Sequence, residues 1–513
     1  VQLSESAQDS PIERPFLRRA VALCVLALLA FYYAFVATHG QLTFRGHEPE
    51  WRLYDGMWHS LTQGRFDLDP RDAEGEEFIR DGKSYSYYGV FPAFVRGLAA
   101  PFIDFEVMGF QAESCALAGM TAIAGFLFAG LRLRLHRGPR AWRFILFILS
   151  TALATPIVTC VAKAEIYNEA VLWGLAWGCV FNAALVFAAS ASGTRTFDRS
   201  LLAMAISAGL TLHSRATVGF AVCFEMAGVL VWLFMDSTSP EREMVATKPF
   251  RRRPIQVAVM VFAAFLLAQA VINYGRWGNP FVFRPIRLLK QFQGFRGDLL
   301  AIYGSFRLDR VPTSACYYFL PEPANFLPHW PFIATGGRRC FPAEFPWNDF
   351  VSLGWQLIGT WGMGTGIPYY DLYAGPRMPL SVSAPALVVF AAVGALRGWA
   401  RPWSDWGRRS VLLMTLSLLF VVGVVITFDT LALRFLGDLI PFLAGLGFLG
   451  LLPNPRDQEE SAPRRRLRIA GFAALTAFSI FATHITMLRV KAETYGAGHR
   501  LRERLRHDWL REE

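Results

Sequence analysis

Ten residues after the apolar run "AVALCVLALLAFYYAFV" (Ala20–Val36), the chain reads "GHEPEWRLYDGMWHSLTQGRF" (Gly46–Phe66). The first stretch has the length and apolarity of a membrane-spanning helix. The second places Glu48, Glu50 and Asp55 close together where such a helix would emerge. Trp51, Tyr54, Met57, Trp58 and Leu61 recur at three- and four-residue steps, which predicts an amphipathic helix lying along the outer membrane surface. Its acidic side has two readings. Carboxylates near a helix start complement the helix dipole. Carboxylates gathered at such an exit are otherwise candidate functional groups.

The composition agrees with a membrane body. Only 18% of the 513 residues are charged and 53% are hydrophobic, against about 25% charged in an ordinary soluble chain. Apolar blocks beginning near Ala20, Glu113, Phe144, Ala170, Leu201, Thr217, Ile255, Ser381, Val411, Phe435 and Ile469 predict an all-α polytopic protein of about eleven spans. Arg14, Arg18 and Arg19 precede the first run and no small-residue cleavage site follows it, so it reads as a retained helix. Net charge is +11. In a membrane protein this excess reports topology and contact with anionic lipids rather than nucleic-acid binding.

The basic stretches are "RLRLHRGPRAWR" (Arg132–Arg143), "KPFRRRP" (Lys248–Pro254), "RGWARPWSDWGRR" (Arg397–Arg409) and "RRRLR" (Arg464–Arg468). Eleven spans with a cytoplasmic amino terminus put all four on the cytoplasmic side, as the charge bias of short loops requires. The tail "RLRERLRHDWLREE" (Arg500–Glu513) then falls outside and reads as an amphipathic surface helix. The expected organisation is one membrane domain, 1–513, with a first outer loop at 40–106 and a long outer loop at 273–380. Pieces too short to span, such as "GVFPAFVRGLAAPF" (Gly89–Phe102), read as re-entrant or interface-lying helices. Cys24, Cys115, Cys160, Cys179 and Cys223 lie in or beside apolar runs. Cys316 and Cys340 share the long outer loop and are expected to be bridged if that side is oxidising.

Several charged residues stand at the edges of apolar runs on the outer side. "AKAEIYNEAVLWG" (Ala162–Gly174) offers Lys163 and Glu169, either lining a cavity or paired with each other. "TLHSRATVGF" (Thr211–Phe220) offers His213 and Arg215, and "FDTLALRFLGDLIPFL" (Phe428–Leu443) offers Arg434. Arg276 lies in "NYGRWGNPFVF" (Asn273–Phe283). An arginine at such a place either snorkels to the interface or grips phosphate oxygens with its planar fork. "DGKSYSYYGVFPAF" (Asp81–Phe94) adds Tyr88 beside Tyr85 and Tyr87, as interfacial tyrosines or as a wall for a sugar ring. Asp67 and Asp69 have the D-x-D spacing that holds a divalent ion in nucleotide-sugar enzymes; they also read as part of a solvated acidic loop. The chain has no P-loop, HExxH or CxxC.

The stretch from Glu50 through Tyr54 to "SLTQG" resembles the first outer loop of C-type membrane glycosyltransferases (GT-C), the superfamily of aminoarabinose and protein O-mannosyl transferases. Their D-E-x-x-Y pattern and "L-x-G" helix are matched loosely, with Glu50 in place of Asp and Trp51 in place of Glu. The segments at Asp81–Phe94, Ala162–Gly174 and Asn273–Phe283 resemble segments of bacterial membrane proteins with the same layout. The WWDYG-type motif of oligosaccharyltransferases is missing.

The resemblance implies a glycosyltransferase of the bacterial inner membrane, inverting at the anomeric carbon. It would move a sugar from a polyprenyl-phosphate donor to an acceptor glycan, lipid or protein on the outer face. Glu50, Asp55 or Glu48 would be the base, and Arg434, Arg215 and Arg276 would hold phosphate. Glu169, Lys163, Tyr54, Tyr88 and His213 would line the substrate site. The resemblance implies no definite cofactor and leaves a divalent metal at the acidic loop open. A transporter or flippase of a lipid-linked intermediate, or a surface-polysaccharide polymerase or ligase, is the alternative.

Overall fold

The computed structural model describes residues 15–42, 52–73, 77–105, 109–137, 141–190, 194–238, 252–290, 297–298, 302, 304–320, 324–326, 333–335, 372–374, 378–400, 406–452 and 461–495. Glu48, Glu50, Cys340 and the tail at 500–513 lie outside the described residues, as does 336–371 of the long outer loop.

The helices are α1 (Pro15–Ala37), α2 (Leu53–Thr62), α3 (Pro70–Ala73), α4 (Phe91–Ala99), α5 (Gln111–Arg132), α6 (Ala141–Leu153), α7 (Pro156–Ala162), α8 (Ile166–Ser190) and α9 (Thr194–Ser214). Then come α10 (Ala216–Thr238), α11 (Arg252–Trp277), α12 (Val311–Phe319), α13 (Leu380–Ser383), α14 (Pro385–Trp399), α15 (Trp406–Thr427), α16 (Ile440–Gly450) and α17 (Ala462–Tyr495). Three small two-stranded pairings accompany them. β1 (Phe78–Arg80) and β2 (Lys83–Tyr85) are antiparallel, as are β3 (Ala324–Phe326) and β4 (Ile333–Thr335); β5 (Leu372–Ala374) and β6 (Thr430–Ala432) are parallel.

Among the described residues, nine helical stretches are long and apolar enough to cross a membrane. The chain is a multi-pass membrane protein. The other two expected spans correspond to α9 and α14. α9 has the length, but Arg195, Asp198 and Arg199 occupy its first turns, and Ser207, Thr211, His213 and Ser214 are buried further along. α14 is apolar but has 15 residues, roughly 22 Å of helix against a hydrocarbon core of about 30 Å. The span expected from Phe144 is Ala141–Ala162 and breaks into α6 and α7 before Pro156, whose ring excludes a regular preceding turn.

Among the described spans the one ending in α16 is the most enclosed, α8 and Ala141–Ala162 follow equally, and α11 is the most exposed. Lipid accepts the more apolar helix: α11 has a mean hydropathy of 2.4, against 1.8 for α8 and 1.5 for the span ending in α16. The N-terminal ends of α5, α8 and α16 and the C-terminal ends of α9 and α11 meet at one end of the bundle, under α2 and α4 (described below). The basic loops lie at the other end, where Arg409 at the start of α15 forks onto Asp236 at the end of α10 at 2.7 and 3.2 Å. The expected interface-lying piece is α4. Phe94 and Leu98, with Phe102 just beyond, recur every four residues and are exposed, a face suited to lipid.

Cys316 of α12 is disulfide-bonded, while Cys24, Cys115, Cys160, Cys179 and Cys223 are free. Its expected partner, Cys340, lies outside the described residues. Between the two cysteines in the chain, Ala324–Phe326 pairs with Ile333–Thr335. Non-reducing mass spectrometry is expected to recover a linked Cys316–Cys340 peptide pair. Loss of the bridge should cost roughly 3–4 kcal/mol in the chain-entropy model. Two freely alkylated thiols in protein never exposed to reductant would remove both the bridge and the outside assignment of this loop.

Candidate functional site

The periodicity of Tyr54, Met57 and Leu61 produces α2, and its apolar side is buried: Leu53 and Tyr54 are fully enclosed and Met57 nearly so. Asp55, in the first turn, points to α4. There its Oδ1 accepts from Nε of Arg96 at 3.0 Å. Arg96 is itself fully buried. Its two terminal nitrogens fork onto both oxygens of Glu169, the Nη2–Oε2 contact being 2.9 Å. Ser114 donates to Glu169 and accepts from the Trp173 indole at 2.9 Å. The Arg96 guanidinium also lies over the rings of Tyr54 and Phe110, at 5.2 and 5.5 Å. Two buried carboxylates therefore face one buried cation. Asp55 Oδ2 is buried with no hydrogen-bond partner. Burial pushes the Asp55 carboxyl up to about 6, against the pull of Arg96.

Glu169 is thus not the partner of Lys163. Lys163 instead reaches Glu165 at 2.9 Å, because Glu169 points into the bundle from the first turn of α8 while Lys163 stands outside its start.

The "SYYG" segment runs over this cluster. Gly89 lies against the end of α9, where a Cβ would come within 2.1 Å of the His213 carbonyl oxygen. That approach seats Tyr88 between Tyr54, Tyr87 and Tyr167, with ring centroids 6.1, 4.2 and 5.8 Å away. His213 itself faces α11, its Nε2 3.1 Å from the Phe265 carbonyl. Arg276, at the end of α11, is buried and donates to the Tyr88 carbonyl at 2.8 Å; its Nε has no partner. Gly174 of α8 leaves room for the Arg215 side chain, which a Cβ would meet at 2.4 Å. Arg215 pairs with Asp438, at 3.1–3.3 Å.

Arg434 differs from Arg96 and Arg215. It is half-buried, lies 4.7 Å over the Tyr167 ring and 5.3 Å over Phe435, and has no carboxylate partner among the described residues. Arg284 is similar. It lies 5.0 Å over Tyr87 and 5.6 Å over Phe428, its Nε is unpartnered, and it too has no carboxylate partner among the described residues. The aromatic contacts close a ring, since Phe428 meets Phe435 at 5.7 Å and Arg215 covers Phe435 at 5.3 Å. The result is an aromatic wall carrying two guanidinium groups outside any ion pair among the described residues, one of which, Arg434, also acts through space on Asp438. Planar forks so placed can receive the oxygens of a phosphate.

Of the residues expected from the sequence, the structure gathers Tyr54, Asp55, Tyr88, Glu169, Arg215, Arg276 and Arg434 at one end of the bundle. Lys163 and His213 lie at its edges, turned to Glu165 and to α11. Glu48 and Glu50 directly precede α2 in the chain. Asp67 of the D-x-D is held by Arg65 at 3.0 Å and Lys83 at 3.5 Å. No group of three or more metal-ligating side chains occurs among the described residues. Arg96, Ser114, Asp438 and Arg284 were not anticipated. A signal existed for Arg96, a lone charge inside the apolar stretch Gly89–Phe102, which calls for a buried partner.

No family model matches the chain, and no curated protein does. Solved structures are similar to it over most of its length. The apo oligosaccharyltransferase of Archaeoglobus fulgidus aligns with 93% of this chain and 57% of its own, at 14% identity and a TM-score of 0.49. The same archaeal enzyme, AglB, in complex with an inhibitory peptide and a dolichol-phosphate, aligns with 92% and 56%, at 12% identity and a TM-score of 0.46. ArnT from Cupriavidus metallidurans bound to undecaprenyl phosphate aligns with 94% and 78%, at 10% identity and a TM-score of 0.43. The chain spans a little over half the length of the archaeal enzyme.

Proposed function

We propose that the protein is a GT-C type glycosyltransferase that moves a sugar from a polyprenyl-phosphate donor to an acceptor on the outer face of a bacterial inner membrane. The observation that carries this reading is the pair of half-buried arginines, Arg434 and Arg284, left without carboxylates on one aromatic wall. They stand at the end of the bundle opposite the basic loops, which charge bias assigns to the cytoplasm. A membrane-anchored phosphate presents its head group at that level.

In this reading Glu50, with Glu48 beside it, is the base. It takes the proton of an acceptor hydroxyl as the oxygen bonds to the anomeric carbon, and the bond from that carbon to the phosphate oxygen breaks. Arg434 and Arg284 stabilise the second negative charge that the departing phosphate acquires. Asp55 is a less suitable base, because one of its oxygens is taken by Arg96 and the other is buried. Arg215 and Arg276 hold the wall: Arg215 is neutralised by Asp438, and Arg276 braces the Tyr88 backbone.

Native mass spectrometry of the purified protein with undecaprenyl phosphate and phosphatidylglycerol tests the donor class. Undecaprenyl phosphate is expected to stay bound under activation that strips phosphatidylglycerol. Equal retention of the two lipids would sink the reading.

A further inference from the structure

One guanidinium joins the outer ends of four helices. Arg96 of α4 meets Asp55 in the first turn of α2, Ser114 in the first turn of α5 and Glu169 in the first turn of α8. Burying such a group is not an economical source of stability, since an apolar replacement is often as good; fixing register is its best-attested use. The rest of the buried face of α2 is mainly apolar, formed by Leu53, Tyr54 and Met57 with Ser60; beside the charged contact of Arg96, the Tyr54 hydroxyl donates to the Ile166 carbonyl of α8 at 3.2 Å, a neutral and weaker tie. The helix so fixed follows directly on the segment that holds Glu48 and Glu50.

We propose that Arg96 is a positioning residue, latching α2 to the ends of α5 and α8. Its effect on transfer rests on the reading of Glu50 or Glu48 as the base; the latch itself does not.

The charges make a specific claim. One cation serves two carboxylates, so Asp55 brings excess negative charge into a buried place. It faces Arg96 from α4, Glu169 from α8 and Asp72 from α3, and Glu113 of α5 stands near Arg96 and Glu169. Its carboxyl binds a proton more readily when α2 is docked than when it is exposed. Docking is therefore tightest at low pH, weakens as pH rises from 3.8 toward about 6, and is level above.

Hydrogen–deuterium exchange of the full chain, corrected for intrinsic rates, reads the latch without substrate. Arg96→Lys keeps the charge but loses the fork, and Glu169 retains the ammonium. Amides of α2 should then exchange about tenfold faster while those of α5 and α8 hold. Asp55→Asn should exchange no faster than wild type and should lack the pH dependence. The double variant Arg96→Lys/Asp55→Asn should restore slow exchange, because no second carboxylate is left unserved. In transfer assays Arg96→Lys should lower kcat about 10–100-fold with donor KM within about threefold, and the double variant should recover part of kcat. Unchanged α2 exchange in Arg96→Lys, or a double variant as loose as the single one, would overturn the latch. Loosened α2 in a protein that neither binds undecaprenyl phosphate nor transfers sugar would support the latch and overturn only the transferase reading.

Discussion

Replacing Glu50 with Gln is expected to leave folding and donor binding intact while transfer falls by about 10²–10⁴-fold, the usual contribution of a general base. The amide has nearly the shape of the carboxylate but cannot accept the proton of an acceptor hydroxyl. Glu48→Gln and Asp55→Asn are the controls. Because Asp55 is tied to Arg96 and its neutral form suits the buried site, Asp55→Asn should retain most activity at neutral pH. A dead Asp55→Asn beside an active Glu50→Gln would move the role to Asp55. Full activity in all three variants would remove the base from this loop.

Arg434→Ala should weaken binding of the donor phosphate about 30-fold or more, the effect of truncating one partner of a desolvated charge pair, and leave acceptor affinity nearly unchanged. Arg434→Lys should recover only part, since a point charge replaces a fork that now lies flat over Tyr167. Arg284→Ala should act more on kcat than on donor KM, if its charge is used as the phosphate leaves. Titration with undecaprenyl phosphate by native mass spectrometry measures the first effect directly. Unchanged affinity in Arg434→Ala would mean that this arginine only reaches for the interface.

A great deal of this protein is legible in its sequence. The apolar runs, their lengths and the basic stretches between them place the helices within a few residues, because a bilayer leaves a long apolar segment no alternative to a helix that satisfies its own backbone. The amphipathic step of Tyr54, Met57 and Leu61 gave α2. Arg434 was a candidate from its place at the start of an apolar run, and it has no ion pair among the described residues.

Partnership was not legible. Arg215 and Asp438 are 223 positions apart, and Arg96 and Glu169 are 73 apart. Which cation meets which carboxylate depends on how α4, α8, α9 and α16 pack, a long-range property with no local pattern. For that reason Lys163 looked from the sequence like the partner of Glu169, six residues away, while the packed structure gave Glu169 to Arg96. The sequence by itself determined a helical membrane body with acids and arginines gathered at one end. Only the tertiary structure decided which of those charges pair in the interior, as Arg96 and Arg215 do, and which lie half-buried outside any ion pair among the described residues, as Arg434 does, because a buried charge is costly unless it is paired and hydrogen-bonded.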